Sequence, residues 1–208
     1  EIDDGLDEDV VSFFDAFGNA THTALMWKLV GEDVLITGAG PIGCIAAAIC
    51  KYAGARRVII TDFNDYRLGL AKNLGADYTV NISRDDLGAV MKDAGLKEGF
   101  DVGLEMSGAG AAFKQMISVM RNGGKISLLG ISNKPVELNM NDIIGKGLRL
   151  QGIYGRKMDN WHQMSYMVQG GLDLHPIITH RFGYKDFQKG FDAMNSGRSG
   201  KVVLTWSE

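Results

Sequence analysis

A glycine-spaced turn is the feature of this sequence whose residue types and spacing most directly suggest chemistry. Residues 36–68 are ITGAGPIGCIAAAICKYAGARRVIITDFNDYRL, in which Gly38, Gly40 and Gly43 have the spacing of a GxGxxG turn. The first glycine of such a turn allows a tight bend, the second lets backbone approach a pyrophosphate, and the third lets a helix pack closely on a strand. A pyrophosphate would lie on the free N–H groups at the start of that helix.

An acidic residue follows at the separation that a dinucleotide site requires. The apolar run 58–61 predicts a second buried strand, and Asp62 ends it, about 20 residues after the glycine turn. A carboxylate there accepts hydrogen bonds from ribose hydroxyls and repels the extra phosphate of NADP. A glycine triplet alone is weak evidence, since glycines occur in many loops, and a merely structural loop is the competing interpretation. The strand, helix and carboxylate together favour an NAD site.

The composition limits the class of protein. The 208 residues are 45% hydrophobic and 23% charged, with a net charge of -3, as is usual for a globular protein. Without a basic block, nothing indicates nucleic acid or an anionic membrane as a partner. No apolar run is long enough to span a membrane, and the acidic start EIDDGLDEDV does not resemble a signal peptide. We therefore expect a cytoplasmic protein, present here as a segment of a longer one.

The two cysteines do not indicate a metal site. Cys44 and Cys50 both fall in the helix that follows the glycine turn, and their spacing is not that of metal ligands. We expect them to be buried structural thiols.

The elements that position the glycine turn alternate between strand and helix. Strands are predicted at 34–37, 58–61, 78–82, 101–106, 125–129 and 148–153, and helices between them at 42–53, 66–74, 85–94 and 111–120. This alternation implies a parallel sheet with right-handed crossovers. The predicted fold class is α/β, a Rossmann fold with a doubly wound six-stranded parallel sheet.

The two ends of the chain have a different pattern. Residues 1–30 include a predicted helix at 18–30, whereas residues 156–208 include helices at 157–169 and 187–194 and strands at 176–179 and 201–205. We predict three segments: 1–30 as a linker and remnant of another domain, 31–155 as the dinucleotide-binding domain, and 156–208 as a segment that returns to the other domain.

Several long segments resemble one enzyme family. They are GNATHTAL, LITGAGPIG, TDFNDYRLGLAKNLGA, GFDVGLEMSGA, GGKISLLGI, KGLRLQGIYGR and GLDLHPIITHRFGYKDFQKGFDAMNSGRSGKVVLTW. Together they are similar to the L-threonine 3-dehydrogenase family, in the zinc-dependent medium-chain alcohol dehydrogenase superfamily. The resemblance implies oxidation of L-threonine to 2-amino-3-oxobutanoate with NAD. It also implies a homo-oligomer, specifically a tetramer.

The resemblance further implies that two domains of the enzyme have separate roles. An N-terminal GroES-like catalytic domain carries the zinc ligands in this family, and its motifs do not occur in this sequence. We therefore expect this chain to be the NAD-binding portion, with zinc only on the N-terminal domain and no metal ligand here. On its own the chain is expected to be inactive.

The resemblance also implies roles for individual residues. Cofactor contacts are implied for Pro41 and Ile42 in the glycine turn, Arg67 beside Asp62, Leu129, Gly130 and Ile131 after the fifth strand, and Ile153 and Tyr154 after the sixth. A solvated helix residue is the alternative for Arg67, and core packing is the alternative for Leu129 and Ile153. Asp15 corresponds to an acidic family position with a proton-relay or alternate zinc-ligand role, the alternatives being a helix cap or a solvated acid.

Other functions remain open at this point. One is a stand-alone NAD-binding module without catalysis, and another is a dehydrogenase of a different polyol or alcohol. A third is an S-adenosylmethionine methyltransferase, which also uses a glycine-rich turn and an acidic residue. That class normally carries a catalytic motif after the fourth strand, where this sequence has GLEMSGA, and it is the least favoured.

Overall fold

A six-stranded parallel sheet forms the centre of the computed structural model, which describes residues 5–206. Its strands are β1 (Asp33–Thr37), β2 (Arg57–Asp62), β3 (Tyr78–Asn81), β4 (Phe100–Glu105), β5 (Met120–Leu128) and β6 (Arg149–Gly152). Their order is β3-β2-β1-β4-β5-β6, and all five pairings are parallel. This is the order of the doubly wound Rossmann sheet, so the predicted fold class is confirmed. The outermost residues of the predicted end segments, 1–4 and 207–208, lie outside the described part.

Helices cover both faces of this sheet. They are α1 (Glu8–Val11), α2 (Phe14–Ala24), α3 (Pro41–Tyr52), α4 (Asp65–Asn73), α5 (Leu87–Asp93), α6 (Gly110–Val119), α7 (Met140–Lys146), α8 (Met158–Gln169) and α9 (Phe187–Asn195). A separate pair of parallel strands, β7 (Ile178–Gly183) and β8 (Lys201–Thr205), follows α8 and packs on α9.

The core has one layer on each face of the sheet. Along β1, Val34 and Ile36 belong to one buried cluster while Leu35 belongs to the other, because side chains alternate between the two faces of a strand. All five residues of β1 are buried. A strand buried on both faces is typical of a parallel sheet covered by helices, and it explains the continuous apolar run in the sequence.

The N-terminal helix α2 packs on the sheet domain. Phe17 and Ala20 are fully buried in the same cluster as β1 and α3, and the rings of Phe14 and Phe17 meet edge to face with centroids 5.6 Å apart. Helix α8 contributes Met164 to this cluster. The two end segments therefore share a core with the nucleotide fold, and the division into three segments stays a prediction.

Some predicted boundaries are wrong. The helix predicted at 18–30 is α2, which occupies Phe14–Ala24, and the chain after it forms a loop whose Leu29 is buried. Instead of a strand at 176–179, a 3₁₀ turn spans His175–Ile177 and β7 begins at Ile178, since Pro176 has no N–H for a ladder. Strand β5 begins at Met120, ahead of the predicted start at 125. Helices α1 and α7 were not predicted.

Candidate dinucleotide-binding site

The glycine turn joins β1 to α3 and presents bare backbone at the start of that helix. Gly38 has a φ of +91°, which side chains rarely tolerate. A Cβ on Gly43 would overlap the carbonyl oxygen of Gly38, so this glycine allows the helix to pack closely on the turn. Gly40 caps α3 and has open space beside it, and Pro41 begins the helix. A pyrophosphate requires a surface of this kind.

Asp62 ends β2 and is tied to the glycine turn. One of its carboxylate oxygens accepts a hydrogen bond from the N–H of Ala39 at 2.7 Å, and the other accepts one from the N–H of Asn64 at 2.9 Å. The side chain is only 7% exposed. A carboxylate has about four acceptor positions, so both oxygens retain capacity for ribose hydroxyls. Sequence reasoning placed Asp62 at this edge but missed its bond to the turn.

Arg67 lies on α4 close to the same turn. The thiol of Cys44, in α3, donates to the Arg67 carbonyl at 3.7 Å. The guanidinium Nε is buried without a hydrogen-bond partner. Buried donors in folded proteins are normally satisfied, and a hydroxyl or phosphate of a bound nucleotide would supply the missing acceptor.

The predicted residues after β5 and β6 lie at the carboxyl edge of the sheet. The N–H groups of Leu129 and Gly130 both donate to the carbonyl of Glu105, at 2.9 and 3.0 Å, and that of Ile153 donates to the carbonyl of Leu128 at 2.8 Å. Ile153 is buried, whereas the side chains of Ile131 and Tyr154 are 81% and 92% exposed. In this fold, ligands bind in the crevice outside the carboxyl ends of the strands.

Asp15 lies in the first turn of α2, which crosses the segment that follows β6. Arg156 pairs with the Asp15 carboxylate and donates to the Asn19 side chain at 3.2 Å. His22, on the same face of α2, contacts the carbonyl of Gly155 at 3.0 Å. The side chain of Asp15 is 74% exposed. Phe13, not Asp15, is the N-cap of α2, so the alternative of a helix cap is wrong.

A cavity of about 660 Å³ lies at the opposite, amino edge of the sheet, where Gly99 and Met120 line it beside Lys146. The Lys146 ammonium donates to the carbonyls of Ile117, Ser118 and Met120, at 3.0, 2.6 and 2.9 Å. Its donors are therefore used in capping the end of α6. Neither the glycine turn nor any other predicted site residue borders this cavity.

Both cysteines are free and buried, as predicted. Burial raises the pKa of the Cys50 thiol to about 12. Burial, with the nearby Asp62 charge, likewise raises the pKa of the Cys44 thiol to about 12. Both groups therefore stay protonated at neutral pH, and thiols in that state are poor nucleophiles and poor metal ligands.

Residues 5–206 contain no group of three or more His, Cys, Asp or Glu side chains arranged to hold a metal ion. The described residues thus do not fit a zinc site. Within the same range no helix combines the length and apolar character needed to cross a membrane.

Comparison with known sequences identifies the family. The family described as zinc-binding dehydrogenase matches residues 41–170. A protein named L-threonine 3-dehydrogenase from Anaeromyxobacter dehalogenans is 58% identical over 206 residues, covering 99% of this chain and 60% of the relative. A protein of the same name from Pectobacterium atrosepticum is 56% identical, covering 100% of this chain and 58% of the relative. The chain thus spans about 60% of the length of these relatives.

Solved structures support the same assignment. L-Idonate 5-dehydrogenase from Escherichia coli superposes with a TM-score of 0.87 at 27% identity, over 99% of this chain and 59% of that one. An alcohol dehydrogenase from Escherichia coli CFT073, solved with NADH, has a TM-score of 0.89 at 22% identity, over 99% and 62%, and shows the fold alone. The predictions of a zinc-type medium-chain dehydrogenase and of NAD as its cofactor are confirmed at the level of the family. The chain belongs to the zinc-binding dehydrogenase family.

Proposed function

We propose that this chain is the NAD-binding part of a dehydrogenase that oxidises L-threonine to 2-amino-3-oxobutanoate. The observation that carries the cofactor assignment is the bond between Asp62 and the N–H of Ala39, which joins the ribose carboxylate to the pyrophosphate turn. Support for the substrate comes from the 58% identity to a relative with that activity in its name. A homo-oligomer, specifically a tetramer, and a cytoplasmic location belong to the same proposal.

Different parts of the carboxyl edge of the sheet bind different parts of the cofactor. The N–H groups at the start of α3, shaped by Gly38, Gly40, Pro41, Ile42 and Gly43, bind the pyrophosphate. Asp62 accepts from the adenosine ribose, and the buried Nε of Arg67 donates beside it. The residues after β5 and β6, Leu129, Gly130, Ile131, Ile153 and Tyr154, line the nicotinamide half. When bound, NAD accepts the hydride that the substrate carbon loses.

Asp15 is proposed to handle the proton that the substrate hydroxyl loses. Its carboxylate is mostly exposed beside the carboxyl edge, and Arg156 holds it in place through the ion pair and through a bond to the Asp15 carbonyl at 3.1 Å. A positioned carboxylate of this kind can accept a proton and pass it to solvent.

A second candidate is a stand-alone NAD-binding module, in which the turn and Asp62 bind the cofactor without catalysis. A dehydrogenase of another polyol is a variant of the first proposal, since one structural neighbour is an idonate dehydrogenase. The methyltransferase alternative is inconsistent with the family match.

Calorimetric titration of the 208-residue chain with NAD, NADP and S-adenosylmethionine tests these proposals. We expect saturable binding of NAD, weaker binding of NADP and none of S-adenosylmethionine.

The chain alone should not oxidise L-threonine, with or without added zinc. A chimera that joins it to the rest of the Anaeromyxobacter relative should prefer L-threonine to L-idonate. Chelator-sensitive turnover by the chain alone, or no binding of NAD, would overturn the proposal.

A further inference from the structure

We propose that Glu105, a buried carboxylate at the end of β4, holds the carboxyl edge in shape and that its charge strengthens binding of the oxidised cofactor relative to the reduced one. This inference rests on the proposed NAD site. Glu105 is a positioning residue, since it acts on the cofactor through the turns around it and through its electrostatic field.

Glu105 is surrounded by hydrogen-bond donors. Its Oε1 accepts from the Thr37 hydroxyl at 3.3 Å and from the N–H groups of Ser107 and Gly108, both at 3.0 Å. The Ser107 hydroxyl also donates to Oε1, and it accepts in turn from the N–H of Ala109 at 3.1 Å. Every one of these partners is a donor, so the turns around Glu105 hold its carboxylate oxygens in place.

The side chain and backbone carbonyl of Glu105 together contact the turns that follow three neighbouring strands. Thr37 ends β1 and leads into the glycine turn, where the Cα of Ser107 lies 3.0 Å from the place that a Cβ on Gly38 would occupy. On the other side, a Cβ on Gly130 would overlap the N–H of Gly108 and Oε2 of Glu105. Glu105 therefore sits where the turns after β1, β4 and β5 converge. This is the point at which the strand order reverses.

The charge of Glu105 has no cationic partner in the described part of the chain. The side chain is 3% exposed, and none of the ion pairs formed within residues 5–206 includes it. Asp33, buried to a similar extent at the opposite edge, pairs with both Arg56 and Arg57. A buried charge acts through surroundings that screen it poorly, so the field of Glu105 extends to whatever occupies this edge.

The two oxidation states of the cofactor respond differently to that field. The nicotinamide ring is positively charged in NAD and neutral in NADH, whereas the pyrophosphate is the same in both. Repulsion between Glu105 and the pyrophosphate therefore cancels when the two affinities are compared. What remains is an attraction between Glu105 and the oxidised ring, which raises the ratio of the NADH dissociation constant to that of NAD.

The test measures both dissociation constants, by calorimetry, for the unmutated chain and for Glu105→Gln, which keeps the shape and removes the charge. Charges separated by roughly 10 to 15 Å in protein surroundings alter affinity by about three- to tenfold after screening by salt. We expect the ratio of the NADH constant to the NAD constant to fall by that factor. Glu98→Gln, at an exposed position before β4, is the matched control and should leave the ratio unchanged.

A second variant separates charge from shape. Glu105→Asp keeps the charge and shortens the side chain, so both cofactors should bind more weakly with a nearly unchanged ratio. An equal loss for both cofactors in Glu105→Gln, or the same ratio change in both variants, would overturn the electrostatic role. If the unmutated chain binds neither cofactor, the proposed function fails instead.

If Glu105→Gln does not fold, Glu105→Ala provides the measurement, because it also removes the charge. The ratio should fall in the same direction, and an unchanged ratio would contradict the proposal.

Discussion

At the scale of single residues, the most specific prediction concerns Asp62. Its carboxylate accepts from the glycine turn and is proposed to accept from the ribose. A hydrogen bond to a charged group contributes about 1.5–3 kcal/mol, so Asp62→Ala should weaken NAD binding by about 10- to 100-fold. NADP binding should fall less, because the substitution also removes a charge that repels its phosphate. Dissociation constants of both cofactors measure this change in preference.

Asp65→Ala is the matched control for Asp62→Ala. Asp65 begins α4 and is paired with Arg84 on the surface, with a side chain 64% exposed. Its removal should leave the preference between NAD and NADP unchanged. Equal dissociation constants for the two cofactors in the unmutated chain would contradict the role assigned to Asp62.

Asp15 gives a second prediction at this scale. In the chimera that restores the rest of the relative, Asp15→Asn should lower kcat by about 100-fold while the NAD dissociation constant stays nearly the same, as loss of a positioned proton-transfer group does. Asp9→Asn is the control, because Asp9 pairs with Arg181 and not with Arg156. An unchanged kcat in Asp15→Asn would reduce Asp15 to a surface acid.

The sequence predicts some of these residues better than others. Glycine spacing and a carboxylate at a strand end have fixed geometric meanings, so the turn and Asp62 were predictable. The contact between Asp15 and Arg156 joins residues distant in the chain, and no periodicity reports such a pair. Glu105 is one residue of the predicted strand 101–106, and only the convergence of three turns around it gives it a role.

At the scale of elements, buried strands were predicted well and irregular ones were not. Strand β1 begins at Asp33, only one position before the predicted start. The prediction is close because the apolar run in this strand is continuous. Strand β5 pairs Met120 with Phe100 and then Lys125 with Val102, with an irregularity between them. The Asn-Gly-Gly sequence at 122–124 is typical of a turn, so the pattern does not reveal the first part of this strand. Helix α7 has no buried residue and therefore no apolar periodicity to reveal it.

The packing of α2 on the sheet domain is testable through stability. Phe17 is fully buried between α2 and α3, and Phe-to-Ala substitutions at such positions cost about 3–5 kcal/mol. Phe17→Ala should lower the free energy of unfolding by that amount, measured by urea denaturation. Phe187→Ala, at a position 51% exposed, is the control and should change it by only about 1 kcal/mol. Similar losses in both variants would contradict a shared core.

At the scale of the whole molecule, one histidine connects the segment before β7 to the start of α1. His175 contacts Asp173 through Nδ1 at 2.7 Å and Asp7, the N-cap of α1, through Nε2 at 3.0 Å. Hydrogen bonds to Asp7 and Asp173 raise the pKa of His175 above its ordinary value of 6.5. The contact with His175 in turn lowers the pKa of Asp7, and bonds from its backbone and side chain lower the pKa of Asp173.

The sign of the pH dependence follows from these directions. A group whose pKa is raised by folding stabilises fully below its unfolded pKa and loses that contribution as pH rises through the folded value. The stability due to His175 is therefore present below about pH 6.5 and is lost above it. The two aspartates act in the opposite sense, and their contribution is lost as pH falls below about 4.

We therefore expect the free energy of unfolding to decrease between about pH 6 and pH 9, and this decrease should be smaller in His175→Gln. Urea denaturation of both proteins at several pH values gives the comparison. His162→Gln is the control, since His162 stacks on Tyr166 and pairs with no carboxylate among residues 5–206, and it should keep the full pH dependence. The same slope in His175→Gln as in the unmutated chain would show that the contact with Asp7 does not hold the N-terminal segment in place.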